Sequence, residues 1–187
     1  MNALSLKKGS SRKSAYNLRP TYDDGTERHV LSVIVDNEAG VLARVIGLFS
    51  GRGYNIESLT VAETDHEGRK SRITIVTVDT PQIIEQIKAQ LDRIVPVHEV
   101  ADLTVEGPYV ERELALVKVA GEGDRRVEAM RMAEVFRARV VDTTLTSFVF
   151  ELTGDPAKID AFVDLMRPLG LVEVARTGVA AMARGDG

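Results

Sequence analysis

The chain has 187 residues, 44% of them hydrophobic and 28% charged, which suits a soluble globular protein of one ordinary domain or two small ones. Its formal net charge of −4 argues against a general nucleic-acid binder, and no apolar run reaches the length of a membrane helix. The absence of cysteine excludes disulfides and thiolate chemistry and fits a cytoplasmic location.

Residues 1–27 show no hydrophobic period, and no acidic residue precedes Asp23. We expect a mobile basic arm here, because chain ends are often unordered. Two alternatives stay open. One is a targeting peptide, which has a similar basic, serine-rich composition, and the other is a nucleic-acid-binding arm, which no motif supports.

The stretch from His29 to Ala62 predicts a strand over 30–35, a tight turn over 36–40, a helix over 41–50 and a returning strand from residue 54. The helix is indicated by an apolar stripe at i, i+3, i+4 and i+7. The members of this stripe are Leu42, Val45, Ile46 and Phe49.

The turn before this helix is where we expect function. Asn37 or Glu38 is predicted to cap the helix, and Gly40 has no Cβ to block a ligand. The free N–H groups of residues 41–43 lie at the positive end of the helix dipole, which suits a carboxylate. The sequence therefore predicts a small-anion pocket.

The order of elements then continues and repeats. Strands over 55–63 and 71–78, a helix capped by Thr80 and a strand over 95–105 complete a βαββαβ unit. After Gly107 and Pro108 the same order returns. Its elements are a strand over 114–119, a helix with an apolar stripe over 129–136, strands over 139–142 and 145–152, a helix capped by Asp155 and a strand over 171–175.

Two βαββαβ units predict an α+β fold of two tandem ferredoxin-like sandwiches, each with two helices on one face of a four-stranded antiparallel sheet. We place the units at 28–106 and 109–180, with a loose tail at 181–187. One face of each sheet has no helices of its own unit, so we expect it to pack on something. Pairing of chains would cover edge strands, and we expect at least a homodimer.

Nothing in the sequence indicates catalysis or a metal site. His29, His66 and His98 are scattered without metal-ligand spacing, and we interpret them as ordinary surface or edge residues. The run Gly121-Glu122-Gly123 lacks the third glycine of a dinucleotide motif and is interpreted as a loop.

If two units join side by side, the predicted site acquires polar groups from both of them. Asn37 and Gly40 of one then face Asn55 of the other, and amides with a helix N-terminus can hold both charges of an α-amino acid. Val41, Leu42 and Ile56 would flank an aliphatic side chain. In an arbitrary sandwich, a capped helix and a tight loop would be the more ordinary interpretation.

Three runs carry a family resemblance: DNEAGVLARVIGLFSGRGYNIESLTV (36–61), VERELALVKV (110–119) and VEVARTGVAAMARG (172–185). The first closely resembles the start of the ACT domain in small regulatory subunits of acetolactate synthase, and the likeness covers 29–185. One departure from the general ACT pattern is Ala39, where many ACT domains have proline.

The resemblance implies a noncatalytic regulatory subunit in branched-chain amino acid biosynthesis. Such subunits bind a large catalytic subunit, which holds thiamine diphosphate, Mg²⁺ and FAD, so this chain is expected to bind no cofactor itself. They raise its activity and confer feedback inhibition, usually by valine. The family's effector site, between ACT domains of a homodimer, maps onto Asn37, Gly40, Val41 and Leu42 of one chain and Asn55 and Ile56 of the other.

Two points stay open at this stage. One methylene discriminates too weakly to choose among valine, leucine and isoleucine as the effector. A free-standing amino-acid sensor acting on another partner is the alternative function, although the chain shows no helix-turn-helix with a basic face.

Overall fold

The computed structural model describes residues 25–185. The first unit comprises β1 (Glu27–Asp36), α1 (Val41–Arg52), β2 (Ser58–Asp65), β3 (Lys70–Asp79), α2 (Pro81–Leu91) and β4 (Val97–Asp102). A one-turn helix, α3 (Leu103–Glu106), follows it. The second unit comprises β5 (Tyr109–Ala120), α4 (Gly123–Phe136), β6 (Arg139–Thr143), β7 (Ser147–Gly154), α5 (Pro156–Gly170) and β8 (Leu171–Arg176), and the short strand β9 (Ala180–Ala183) comes last.

The two units have the same topology. The strand order is β2-β3-β1-β4 in the first sheet and β6-β7-β5-β8 in the second, and all paired strands are antiparallel. Alternate residues of the central strands pack under the two helices, which gives each unit its own apolar core, whereas all five residues of edge strand β6 are exposed. The predicted α+β, ferredoxin-like fold is confirmed.

Several element boundaries differ from the sequence prediction; strand β5, for example, begins at Tyr109 and not at residue 114. Strand β2 begins at Ser58, so residues 54–57 form a loop. Strand β4 ends at Asp102 because its carboxylate accepts the N–H of Thr104 at 3.1 Å and so caps α3. The tail predicted as loose from 181 instead begins with β9, which pairs with the first residues of β5. The predicted basic arm lies, up to residue 24, outside the described residues.

The helix-free face of the first sheet is covered by the chain's own later residues. Val30 and Val76 of this face are buried against Leu103, Val179 and Ala181. The expectation that such a face packs on another element is confirmed for the first sheet only, since Leu116 on the corresponding face of the second sheet is 37% exposed. The C-terminal segment therefore lies against the first unit and joins the two halves of the chain.

Candidate functional site

The turn from β1 into α1 is held by main-chain hydrogen bonds. The Asn37 N–H donates to the Arg69 carbonyl at 2.6 Å, and the Glu38 N–H donates to the Asp36 carbonyl at 3.0 Å. The residue at the N-cap position is Gly40, with φ of 90°, and no side chain caps the helix. The prediction that Asn37 or Glu38 caps α1 is wrong, because the left-handed glycine carries the chain into the helix without a cap.

Because no side chain caps α1, its first N–H groups are available to a ligand. The Val41 N–H makes a long bond of 3.5 Å to the Glu38 carbonyl, and the first regular helical bond is that of Arg44 to Gly40 at 3.0 Å. Within residues 25–185 no backbone acceptor faces the N–H groups of Leu42 and Ala43. Two donors at the positive end of the helix dipole are thus open to an anion.

The surroundings of these donors are exposed and nearly neutral. The Asn37 side chain is exposed, and its amide makes no hydrogen bond within the described part of the chain. The Glu38 carboxylate lies 3.5 Å from Arg44 Nη1, so each largely exposed charge is partly offset by the other. A carboxylate arriving here meets amide donors and no unpaired acid in this turn.

In the loop that follows α1, hydrogen bonds hold the main chain, whereas the Asn55 side chain is exposed. The Thr77 hydroxyl donates to the Asn55 carbonyl at 2.6 Å, and the Glu57 N–H donates to the Val76 carbonyl at 2.8 Å. The Asn55 side chain is exposed, whereas Ile56 is half-buried against the core. The Asn55 amide is therefore presented outward on a rigid loop.

Within one chain the two parts of the predicted site lie at opposite ends of the sheet. Asp36, next to Asn37, pairs with Lys70, whereas Thr77, which holds Asn55, pairs with His29 near the other end of β1. The 12-residue helix α1 separates them by about 18 Å at 1.5 Å per residue. Asn37, Gly40, Val41 and Leu42 form one group, and Asn55 and Ile56 form the other.

The apolar stripe of α1 is divided between core and surface. Val41, Val45 and Phe49 are buried, whereas Leu42 and Ile46 are each 38% exposed. The sequence placed Leu42 and Ile46 in the stripe and Val41 beside the effector's side chain. Because the sheet buries the face of α1 centred on Val45, the Val41 side chain is buried in the core. Only the main chain of Val41 is available at the turn.

The exposed pair lies on the side of α1 that faces the sheet edge. The opposite flank, which includes Leu48 and Gly51, lines an open cleft together with Gln90 of α2. Leu42 and Ile46 therefore point away from α2, towards edge strand β2. Val61 of β2 lies on the same side of the sheet and is 45% exposed. We call Leu42, Ile46 and Val61 the edge patch.

Sequence reasoning missed a buried polar pair. His29, interpreted as a surface or edge residue, is only 4% exposed, and its Nδ1 lies 2.8 Å from Asp102 Oδ2. Asp102 itself is fully buried. No local pattern identifies this pair, because the two residues are 73 positions apart and meet only through the pairing of β1 with β4.

Metal sites and membrane-spanning helices are both absent from residues 25–185. No group of three or more His, Cys, Asp or Glu residues in 25–185 has the arrangement of a metal site. Over the same residues, no helix is both long and apolar enough to cross a bilayer.

Comparison with known proteins decides the family. A family model described as the small subunit of acetolactate synthase matches residues 112–185, and one described as the AHAS small subunit-like ACT domain matches residues 31–99. The chain belongs to the acetolactate synthase small-subunit family. All six predicted site residues lie within the ACT match.

Individual members of the family agree over nearly their full length. The acetolactate synthase isozyme 3 small subunit of Salmonella typhimurium is 49% identical and is matched over 97% of its length and 85% of this chain. A probable acetolactate synthase small subunit of Archaeoglobus fulgidus is 45% identical, over 98% of its length and 85% of this chain. The crystal structure of the Thermotoga maritima small subunit superposes with a TM-score of 0.76 at 36% identity, covering 86% of this chain and 99% of that one.

Proposed function

We propose that this chain is the regulatory subunit of an acetolactate synthase, that it activates the large catalytic subunit, and that it confers feedback inhibition by binding valine. The observation that carries the proposal is its membership of the small-subunit family over both units. The relatives' names contain the word subunit, which supports a catalytic partner for this chain as well. The chain itself does no chemistry in this proposal, and the thiamine diphosphate, Mg²⁺ and FAD belong to the partner.

The effector site in this proposal lies between the ACT units of two copies. Asn37 and Asn55 lie at opposite ends of one sheet, so an antiparallel pairing of two units along β2 brings Asn37 of one chain near Asn55 of the other. The edge patch supports such a pairing, since it exposes apolar side chains beside β2, whose outer edge pairs with no strand of residues 25–185.

Each part of a branched-chain amino acid has a partner in this arrangement. The carboxylate takes the N–H groups of Leu42 and Ala43, and the Asn37 and Asn55 amides complete the polar contacts. Leu42 and Ile56 flank the aliphatic side chain. Because the site is shared, the ligand stabilises one relative arrangement of the two chains, and the catalytic subunit responds to that arrangement.

Calorimetry and reconstitution test the proposal. The purified chain is titrated with valine, leucine and isoleucine, and the cognate catalytic subunit is then assayed with and without it. We expect saturable binding, higher activity on addition of the chain, and inhibition by the amino acid that binds. Binding without retention of the catalytic subunit in a pull-down would favour a free-standing sensor. Activation without any binding would leave an activator that has no feedback role.

A further inference from the structure

A single residue of the C-terminal segment is held on both sides by the edge strand of the ACT unit. The Val179 N–H donates to Ser58 Oγ at 2.8 Å, and the Thr60 hydroxyl donates to the Val179 carbonyl at 2.8 Å. Val179 is 3% exposed and packs with Val30 and Val76. We call the two hydrogen bonds to Val179 the clamp.

The segment that leads to the clamp is fixed equally firmly to the second unit. The Thr177 N–H donates to the Leu114 carbonyl at 3.0 Å, and the Leu114 N–H donates to Thr177 Oγ1 at 3.1 Å. One residue earlier, Arg176 makes a bidentate ion pair with Glu113, in which both N–O distances are 2.6 Å. Within four residues the chain therefore passes from an anchor on β5 to an anchor on β2.

The clamp begins where the loop of residues 54–57 ends, and we call this loop the effector loop. Ser58 is the first residue of β2, and it follows directly on the loop that presents Asn55 and Ile56. That loop is tied to β3 by the bonds of Thr77 and Glu57. Because residues 55–57 lead directly into Ser58, a displacement of this loop would act on the clamp through the main chain.

The backbone next to Val179 leaves no room for a larger residue. Gly178 has φ of +82°, which L side chains rarely adopt. A Cβ on Gly178 would lie 2.8 Å from Ser58 Oγ and 3.0 Å from Thr60 Cγ2. The close approach of the segment between β8 and β9 to strand β2 thus depends on glycine at this position.

We propose that the clamp couples the effector loop of the ACT unit to the C-terminal unit, so that Ser58 and Thr60 transmit effector binding without contacting the effector. This inference rests on the proposed function and adds the route of regulation to it. Packed elements joined by short hydrogen bonds can carry coupling between sites when both sites bias the same arrangement. Strand β2 follows directly on the loop that presents Asn55 and contributes both side chains of the clamp, so it is the element through which the two units would be coupled.

The test separates binding from response. The double variant Ser58→Ala/Thr60→Val is assayed in the complex with the catalytic subunit, and the valine affinity of the free chain is measured by calorimetry. Allosteric couplings correspond to about 5–150-fold changes in affinity, so we expect the valine concentration that halves activity to rise at least about fivefold. The Kd of the free chain stays within about twofold, since by this proposal neither hydroxyl contacts valine.

Two further variants serve as a partial variant and as a control. Thr60→Val alone removes one bond from a chain of unchanged shape and is expected to give a smaller shift in the same direction. Thr153→Val, a strand threonine on β7 that is exposed, is the matched control and is expected to respond to valine as the unaltered chain does.

Three results would overturn the clamp proposal. These are unchanged inhibition in both the single and the double variant, loss of valine binding together with inhibition, or loss of activation. The proposed function fails on a different observation, namely that the unaltered chain neither binds valine nor alters the activity of the catalytic subunit.

Discussion

Arg28 and Glu111 form a two-pronged ion pair that joins β1 to β5, with Nη1–Oε1 at 3.2 Å and Nη2–Oε2 at 2.8 Å. Their side chains are only 16% and 17% exposed. Burial by itself lowers the pKa of Arg28, but the hydrogen bond and negative charge of Glu111 outweigh it, so the net shift is upward. The guanidinium stays charged, and the pair links the ACT unit to the strand that follows the boundary.

Removing either partner of this pair is expected to destabilise the chain. Arg28→Ala or Glu111→Ala leaves a partly buried charge without its partner, and we expect a loss of roughly 1.5–3 kcal/mol in the free energy of unfolding. Urea titration of both single variants and the double variant measures the coupling energy, for which we expect roughly 0.5–3 kcal/mol. A coupling energy of zero would show that the two side chains stabilise the fold independently.

Gly40→Asp is expected to abolish inhibition by valine and leave activation intact. A carboxylate at this position repels the effector's carboxylate at the start of α1. An ideal Cβ on Gly40 meets nothing within 4 Å, so the backbone φ of +90° is the main strain that a substitution introduces. Gly40→Asn carries a similar strain without the charge and is the control. If valine inhibited the two variants equally, the negative charge of the aspartate would not be the cause of the change in inhibition.

Asn55→Ala is expected to weaken valine binding by roughly 1–3 kcal/mol, because a polar group of the ligand loses its partner at the site. The exposed side chain makes no hydrogen bond within 25–185, so stability should not change. Calorimetry measures the affinity, and thermal unfolding gives the control. An affinity equal to that of the unaltered chain would exclude Asn55 from the site.

The stability of the chain is expected to fall in alkaline solution through Tyr109. Burial is the main cause that raises the pKa of this phenol, and the charge of Glu111 adds to it, while Arg28 and Thr104 oppose the shift. A raised pKa favours the neutral phenol in the folded state. Its contribution is therefore fully present below the unfolded value of about 10 and is lost as the pH rises through the folded value.

Tyr109→Phe removes this titration and supplies the comparison. Unfolding free energies of both proteins are measured by urea at several pH values between about 8 and 11. We expect the difference between them to change only above about pH 9, with the unaltered chain losing more stability. Parallel pH profiles would assign the alkaline loss to other groups.

Two helix starts of similar sequence are expected to differ in stability. The Asp155 carboxylate accepts the Lys158 N–H at 2.8 Å, whereas the Thr80 side chain makes no capping bond at the start of α2. Asp155→Ala should therefore cost about 0.5–2 kcal/mol, and Thr80→Ala clearly less. Thermal unfolding of the two variants decides this, and equal losses would show that the cap at Asp155 contributes nothing.

Much of the fold follows from local patterns that the sequence displays. The helical spacing of Ile84, Ile87 and Leu91 predicts the buried face of α2, and these three residues are buried in the core. The pair Asp155-Pro156 predicts the start of α5, and the helix begins at Pro156. Such features depend on neighbours within a few residues, which is why order and fold class were predictable.

The structure shows where the predicted site residues lie, and it differs from the sequence prediction in two details. Gly40 and Asn55 are singled out as part of a longer run that resembles the ACT family, since glycine and asparagine at turns by themselves are ordinary. The cap was mispredicted because a left-handed Gly40 can enter a helix without help from Asn37 or Glu38. The burial of Val41 was missed because helical spacing alone does not show where the sheet will lie.

The sequence by itself determined the two βαββαβ units, the family and the turn that opens α1, since each is recorded in short runs of residues. Only the tertiary structure decided which partners distant residues meet. Ser58 and Thr60 bind Val179 across 121 and 119 positions, and His29 reaches Asp102 across 73. These contacts depend on strand register and on the path of the C-terminal segment, and no local period contains that information.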